Sequence, residues 1–155
     1  MLKVRVRIKK VNEKNYDEWV DLRKYLWPGS EFDEELKTYF DEESKWNYVN
    51  DPVWIAYVGK KSVGFIEISI HQTEPWHQTK MSYIEGVYVI PELHKKGIAS
   101  KMVYIATKWS RKRKLNFIGS DTQVDNDVSI KMHLALGFRY VATIDGEAKF
   151  VKGIE

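Results

Sequence analysis

The sequence predicts an α/β chain of the α+β kind, with a central mixed, twisted sheet carrying helices on both faces. Three observations lead there. Apolar residues alternate with basic ones at Val4, Val6 and Ile8, the period of a half-buried strand. A strand over 83–90, a long helix over 97–114 and a short strand over 117–120 make a parallel βαβ crossover. Two pairs of β-rich segments, 53–58 with 62–70 and 138–145 with 148–154, are each joined by a short Gly-containing turn and read as hairpins.

The remaining elements follow from their punctuation. A helix begins at Asn15, places Trp19, Leu22 and Leu26 on one face, and ends before Pro28-Gly29. A second, acidic helix is expected from about Asp33 to Lys45. Residues 71–81 are polar and contain Pro75, so they read as a loop. Pro91 stops the strand 83–90. Met102, Ile105, Ala106 and Trp109 share a face of the long helix. A last helix spans 126–136, ended by Gly137. The predicted order is β-α-α-β-β-β-α-β-α-β-β. With 155 residues and no linker or repeat, the expectation is one domain over 1–155.

Composition narrows the chemistry. The chain has no cysteine, which removes disulfides, thiolate metal sites and cysteine nucleophiles together. No apolar run reaches the roughly 18 residues of a membrane span, and the alternating N-terminus lacks the apolar core of a signal peptide. The expectation is a cytoplasmic protein with no membrane partner. The net charge of +3 is small, but its distribution is not even. Seven acids lie between Ser30 and Lys45, whereas eight Lys or Arg and no acid lie between His94 and Lys114. Such a chain can attract a polycation and a polyanion at separate places, although each run also suits a solvated helix face. Arg111–Lys114 has no interleaved aromatics, so no nucleic-acid partner is expected. His71, His77 and Glu74 make a poor metal set, and no metal is expected.

The stretch from Glu85 to Ser100 carries the most chemical information. A strand ends at a proline, and a short basic turn with Gly97 then opens the long helix. Main-chain amides of such a turn, with the helix N-terminus, can bind an anion. Gly97, Ile98, Ala99 and Ser100 would supply amides, and Lys95 and Lys96 charge. An ordinary helix start beside a solvated lysine pair gives the same pattern.

The segment His94-Lys-Lys-Gly97-Ile-Ala99 resembles the Gln/Arg-x-x-Gly-x-Gly/Ala motif of the GNAT N-acetyltransferases, with His94 in place of Gln or Arg. Asn126, Ser129, His133 and Gly137-Phe138 match a second GNAT motif at the same spacing, with His133 where many members have a tyrosine general acid. Leu22–Trp27, Glu85–Pro91, Ser120-Asp121, Asp125-Asn126 and His133–Phe138 are similar to the aminoglycoside 6′-N-acetyltransferases, in their small dimeric subgroup. The resemblance implies acetyl-CoA as cosubstrate, a polycationic amine as acceptor and a homodimer. It implies an acceptor site lined by Trp27, Glu85 and Asp121, with Trp76 and Glu147 as further contacts; by charge, a polycationic amine would also be drawn to Glu31. It also implies acetyl-CoA contacts at Val87, Tyr88, Val89, Asn126 and Ser129, and catalytic roles for Asp121, Glu85 and His133.

The residues alone support part of this. Acetyl transfer to an amine needs a neutral nitrogen, and a carboxylate can hold an ammonium and accept its proton. Asp121, just past a strand, and Glu85, on the central strand, suit that role. Asp121 also suits a turn cap, Glu85 a lysine pair, Trp27 a core plug and His133 a packing residue. Glu85-Gly86 fits a β-bulge that opens a strand's amides toward a ligand. Three functions therefore compete: an aminoglycoside acetyltransferase, a GNAT enzyme acting on a polyamine or protein N-terminus, and a non-catalytic acyl-CoA-binding module.

Overall fold

The computed structural model describes residues 4–29 and 36–154. Seven strands form one sheet in the order β1-β2-β3-β4-β5-β7-β6. They are β1 (Arg7–Lys10), β2 (Val53–Val58), β3 (Lys61–His71), β4 (Met81–Val89), β5 (Phe117–Gln123), β6 (Arg139–Ile144) and β7 (Glu147–Gly153). Three helices are described over their whole length, α1 (Tyr16–Leu26), α2 (Ile98–Lys112) and α3 (Asp127–Ala135), with a 3-10 turn at Pro91–Leu93. The sheet is mixed: β4 pairs with β5 in parallel, and β1–β2, β2–β3, β5–β7 and β6–β7 are antiparallel. The predicted architecture and the crossover β4–α2–β5 are therefore present.

Local chemistry accounts for the boundaries. Asn15 caps α1 by position, and its Oδ1 accepts from the Asn12 amide at 2.8 Å, tying the helix start to the preceding turn. Asn126 caps α3 directly, its Oδ1 accepting from the Ser129 amide at 3.1 Å. Asp145 and Gly146, both at positive φ (52° and 80°), form the two-residue turn between β6 and β7, the hand that matches strand twist. The acidic helix expected over 33–45 does not extend past Lys37: from Thr38 to Asp51 the chain runs in turns and bends. Asn47 is the reason. Its buried side chain donates to the carbonyls of Glu42 and Ser44 and accepts from the amides of Val49 and Asn50, so it organises a loop. The start of that expected helix, with Glu31, lies outside the described residues.

The chain divides into two compact units, one comprising the chain up to Ile68 with Gly86–Val103, the other Ser69–Glu85 with the chain from Tyr104 onward. The first is built on Trp19, Leu22, Tyr39, Ile55 and Phe65, packed as one apolar cluster. Within it Glu67 is buried, its Oε2 accepting from Trp19 Nε1 at 2.9 Å and pairing with Arg23 Nε at 2.9 Å. The Arg23 guanidinium in turn lies 4.6 Å from the centre of the Trp27 ring. The second unit buries Met81, Ile118, Phe138, Phe150 and Val151.

Side-chain contacts reveal a change of phase in β4. Alternate residues of β3 mark one face: Phe65 lies 6.2 Å from the Tyr88 ring, Ser69 donates to Glu85, and His71 stacks on Tyr83. The β4 partners on that face are Tyr83 and Glu85, then Gly86 and Tyr88. Since side chains alternate along a regular strand, two successive residues on one face mean a bulge at Glu85-Gly86. Gly86 must lack a side chain there, because a Cβ would lie 2.3 Å from Trp27 Cη2 and 2.7 Å from Cζ2.

Gly86→Ala should therefore destabilise the fold by about 1–3 kcal/mol, the usual cost of overpacking. Removing the ring in Trp27→Ala should erase most of that cost, so a double-mutant cycle in chemical denaturation should show strong coupling. Additive effects would mean that Trp27 does not dictate glycine at this position.

Candidate active site

The second unit gathers carboxylates around two cations. Glu85 projects from β4 with its side chain 38% exposed. Its Oε1 accepts from Ser69 Oγ and faces His71 Nε2 at 2.7 Å. The other ring nitrogen of His71, Nδ1, faces Glu74 Oε1 at 2.6 Å. Both nitrogens thus point at carboxylate oxygens, an arrangement that needs both N–H groups and makes the ring an imidazolium. Burial alone would lower the His71 pKa, but the hydrogen bonds and charges of Glu85 and Glu74 outweigh it and hold the pKa above its ordinary 6.5.

Asp121 forms the second pole. Residues 117–123 are all strand, so Asp121 lies within β5, where a position just past the strand end was expected. Its Oδ2 accepts from the Tyr83 hydroxyl and from Lys149 Nζ at 3.2 Å, directly across the β5–β7 ladder. Burial, then the hydrogen bond and charge of Asp121, raise the Tyr83 pKa, so its hydroxyl stays protonated and donates. Lys149 also approaches Glu147 Oε1 at 3.7 Å, which links the expected contact Glu147 to Asp121. The Trp76 ring centre lies 6.3 Å from that of Tyr83, beside the same cluster.

In both central carboxylates the contacts fall on one oxygen. Oε1 of Glu85 and Oδ2 of Asp121 are engaged, and no hydrogen bond or ion pair of the described residues falls on Glu85 Oε2 or Asp121 Oδ1. Each group is oriented by its neighbours with an acceptor left over, which suits an ammonium or an N–H donor.

His133, expected in a catalytic role, is a buried ring. It is 3% exposed, its ring stacked 4.6 Å from Phe150. Nδ1 lies 2.7 Å from the Ser129 carbonyl, which can only accept, so Nδ1 carries the hydrogen and Nε2 accepts from Ser120 Oγ at 2.8 Å. Burial, outweighing the Ser129 hydrogen bond and the Asp121 charge, lowers its pKa and keeps it neutral. Its one proton is committed to a backbone carbonyl. Both polar atoms of the ring are satisfied within the protein.

The first unit carries the basic turn at which a phosphate cradle was expected. Lys95 and Gly97 have positive φ, 62° and 82°, on either side of Lys96. Alternating hand turns successive main-chain amides to one side, the geometry of an anion-binding nest. Gly97 leads into α2, whose first turn holds no acid, and the space a Gly97 Cβ would occupy is open within 4 Å. The amides of Ile98, Ala99 and Ser100 open a 15-residue helix and have no intrahelical acceptor by geometry. His94 Nε2 donates to the Val89 carbonyl at 2.8 Å and ties the turn to the end of β4. A turn of this kind fits the pyrophosphate of a nucleotide-derived cosubstrate. In the same unit Trp27 is half-buried on Gly86, and Val87 and Tyr88 are half-buried along β4, with Tyr88 stacked on the exposed Tyr25. Asn126 and Ser129 of the second motif are joined to each other as helix cap and capped amide.

Reading the sequence missed Ser69, Tyr83 and Lys149, and dismissed His71 and Glu74 as a weak metal set. His71 ends β3 and does not float in the loop, and its partners lie 3 and 14 residues away. The turn after β3 brings Glu74 to His71, and the β3–β4 pairing, absent from local sequence pattern, brings Glu85. Among the described residues no group of His, Asp or Glu could hold a metal ion. No helix there is long and apolar enough to cross a membrane.

Comparison with known proteins agrees with these features. The family model for the acetyltransferase (GNAT) family matches residues 16–138. An aminoglycoside N(6′)-acetyltransferase type 1 of Klebsiella aerogenes is 31% identical over 128 residues, 81% of this chain and 84% of that protein. One from Salmonella typhimurium is 29% identical over 133 residues, 84% of this chain and 90% of that protein. Among solved structures, the aminoglycoside 6′-N-acetyltransferase AAC(6′)-Ih of Acinetobacter baumannii superposes with a TM-score of 0.79 at 26% identity, covering 90% of this chain and 95% of that one. AAC(6′)-Iy, solved with the bisubstrate analogue CoA-S-monomethyl-acetylneamine, superposes with a TM-score of 0.80 at 25% identity over 90% of this chain and 95% of that one. A match spanning the first helix, the basic turn and the Asn126–Phe138 motif makes this chain a member of the GNAT acetyltransferase family.

Proposed function

We propose that this chain transfers the acetyl group of acetyl-CoA directly to the 6′-amino group of an aminoglycoside, using one GNAT domain over 1–155. The observation that carries the reading is the pair of half-engaged carboxylates, Glu85 and Asp121, set among Glu74 and Glu147. A multiply charged amine needs several acceptors, and the relatives named above act on such amines. In this reading Trp27, Trp76 and Glu31 contact the acceptor amine, and the acetyltransferase operates in the cytoplasm as a homodimer.

The residues divide the work. Glu85 Oε2 and Asp121 Oδ1 hold ammonium groups, and Asp121 takes the proton that must leave before the nitrogen can attack. Tyr83 and Lys149 orient Asp121, and Ser69 and His71 orient Glu85. The Gly97–Ser100 amides with Lys95 and Lys96 hold the pyrophosphate, and Val87, Tyr88 and Val89 border the pantetheine. Bound acetyl-CoA supplies the thioester carbonyl at which the new N–C bond forms as the C–S bond breaks. His133 lies at the position of the family's tyrosine acid but keeps its proton on the Ser129 carbonyl. The departing sulfur therefore takes its proton from solvent.

Two measurements test this. Asp121→Asn should lower kcat by about 10² to 10⁴, the usual worth of a general base. Glu85→Gln should act mainly by raising KM for the amine. Steady-state kinetics with acetyl-CoA and an aminoglycoside, with the product mapped by NMR, decides both; a normal kcat in Asp121→Asn would move the base elsewhere. For the cradle, Gly97→Asp should weaken CoA binding in calorimetry by roughly tenfold more than Gly97→Ala, the effect of about 1.4 kcal/mol. Both variants carry the same backbone cost at positive φ and only one adds charge, so equal losses would refute a phosphate site.

A further inference from the structure

His71 has the strongest unassigned chemistry in the molecule. Its imidazolium sits between Glu74 and Glu85, stacked on Tyr83 at 4.0 Å with the rings 10° from parallel. It is held on both nitrogens while its side chain keeps 25% exposure, enough to exchange a proton with water. The groups facing it are Ser69 on β3, Glu85 and Tyr83 on β4, and Glu74 and Trp76 on residues 72–80. Beyond Tyr83 come Asp121 on β5 and Lys149 and Glu147 on β7. The cluster thus contains four carboxylates and, with the ring protonated, two cations.

We propose that His71 is a titratable counter-ion of the amine site: protonated, it balances one charge of the Glu74–Glu85 pair, and an ammonium bound at Glu85 expels that proton to water. The inference rests on the reading that Glu85 holds the substrate amine. His71 is a positioning residue, acting through Glu85. Its sign is definite. Below its pKa the ring contributes one positive charge and repels a cationic substrate; above it that charge is gone and the same carboxylates attract more strongly. By linkage, a bound cation must lower the His71 pKa as much as deprotonation of His71 strengthens binding.

The test compares the intact enzyme with His71→Gln, which keeps an amide donor without charge, and His71→Arg, which keeps the charge at every pH. The ratio of amine KM values, parent over His71→Gln, cancels the titration of the substrate's own amines. It should fall from roughly three- to tenfold, the worth of one charge at short range in a partly solvated site, to near unity between about pH 5.5 and about pH 9.5. His71→Arg should hold the high KM throughout. Independently of any variant's folding, NMR of the parent protein should show the His71 ring titrating at lower pH when saturated with an aminoglycoside bearing a 6′-hydroxyl, which cannot be acetylated there. A flat KM ratio, or a His71 titration unmoved by that probe, overturns the proposal. If Glu85→Gln raises the amine KM in the same series, only the His71 inference falls; if it does not, the amine site itself is wrong.

Discussion

One extra residue in β4 sets the terms for both halves of the chemistry. A regular strand would send Glu85 and Gly86 to opposite faces. The bulge sends both to the face marked by Phe65, Ser69 and His71, so Glu85 meets Ser69 and His71 while Gly86 makes room for Trp27. The parallel ladder to β5 is registered at Ser82–Ile118, Tyr83–Gly119 and Ile84–Ser120, immediately before the bulge. Tyr83 stays in regular register, so its hydroxyl reaches Asp121. Change the phase, and Glu85 loses its hydrogen bonds while a larger residue collides with an indole.

The carboxylates would repel one another if left bare. They do not, because each pole has its own cation: an imidazolium for Glu85 and Glu74, an ammonium for Asp121 and Glu147. Lys149 is the less exposed of the two, its side chain at 14%. The charge of His71 is conditional on the protonation of an imidazole. The two poles therefore differ in kind. A buried pair of another sort, Arg23 with Glu67, lies in the first unit, where Trp19 and Trp27 enclose it. It anchors α1 on β3 and takes no part in the chemistry proposed here.

The fold was largely legible from periodicity and punctuation, because strands, helices and two-residue turns are decided by neighbours in sequence. The strand pair 53–58 and 61–71, the crossover to β5 and the last hairpin all stand within a few residues of expectation. The acidic segment misled because its pattern is helical, while Asn47, whose side chain closes the loop, gives no periodic signal. In the candidate site, Glu85, Asp121 and the Gly97 turn were visible through motif spacing. His71, Glu74, Tyr83 and Lys149 were not, since each meets its partner across strands or around a turn. Motif spacing located His133 but gave no sign of its hydrogen bond to the Ser129 carbonyl.

The way the two carboxylates are held has a further consequence for binding entropy. A free glutamate samples many rotamers, and freezing it onto a ligand costs about 1 kcal/mol or more. Here Ser69, His71, Tyr83 and Lys149 have already done the freezing, each on the oxygen a ligand does not need. On the proposed function, a guest amine would meet acceptors whose spacing is set in advance, and discrimination among amines would become a matter of the distance between their nitrogens.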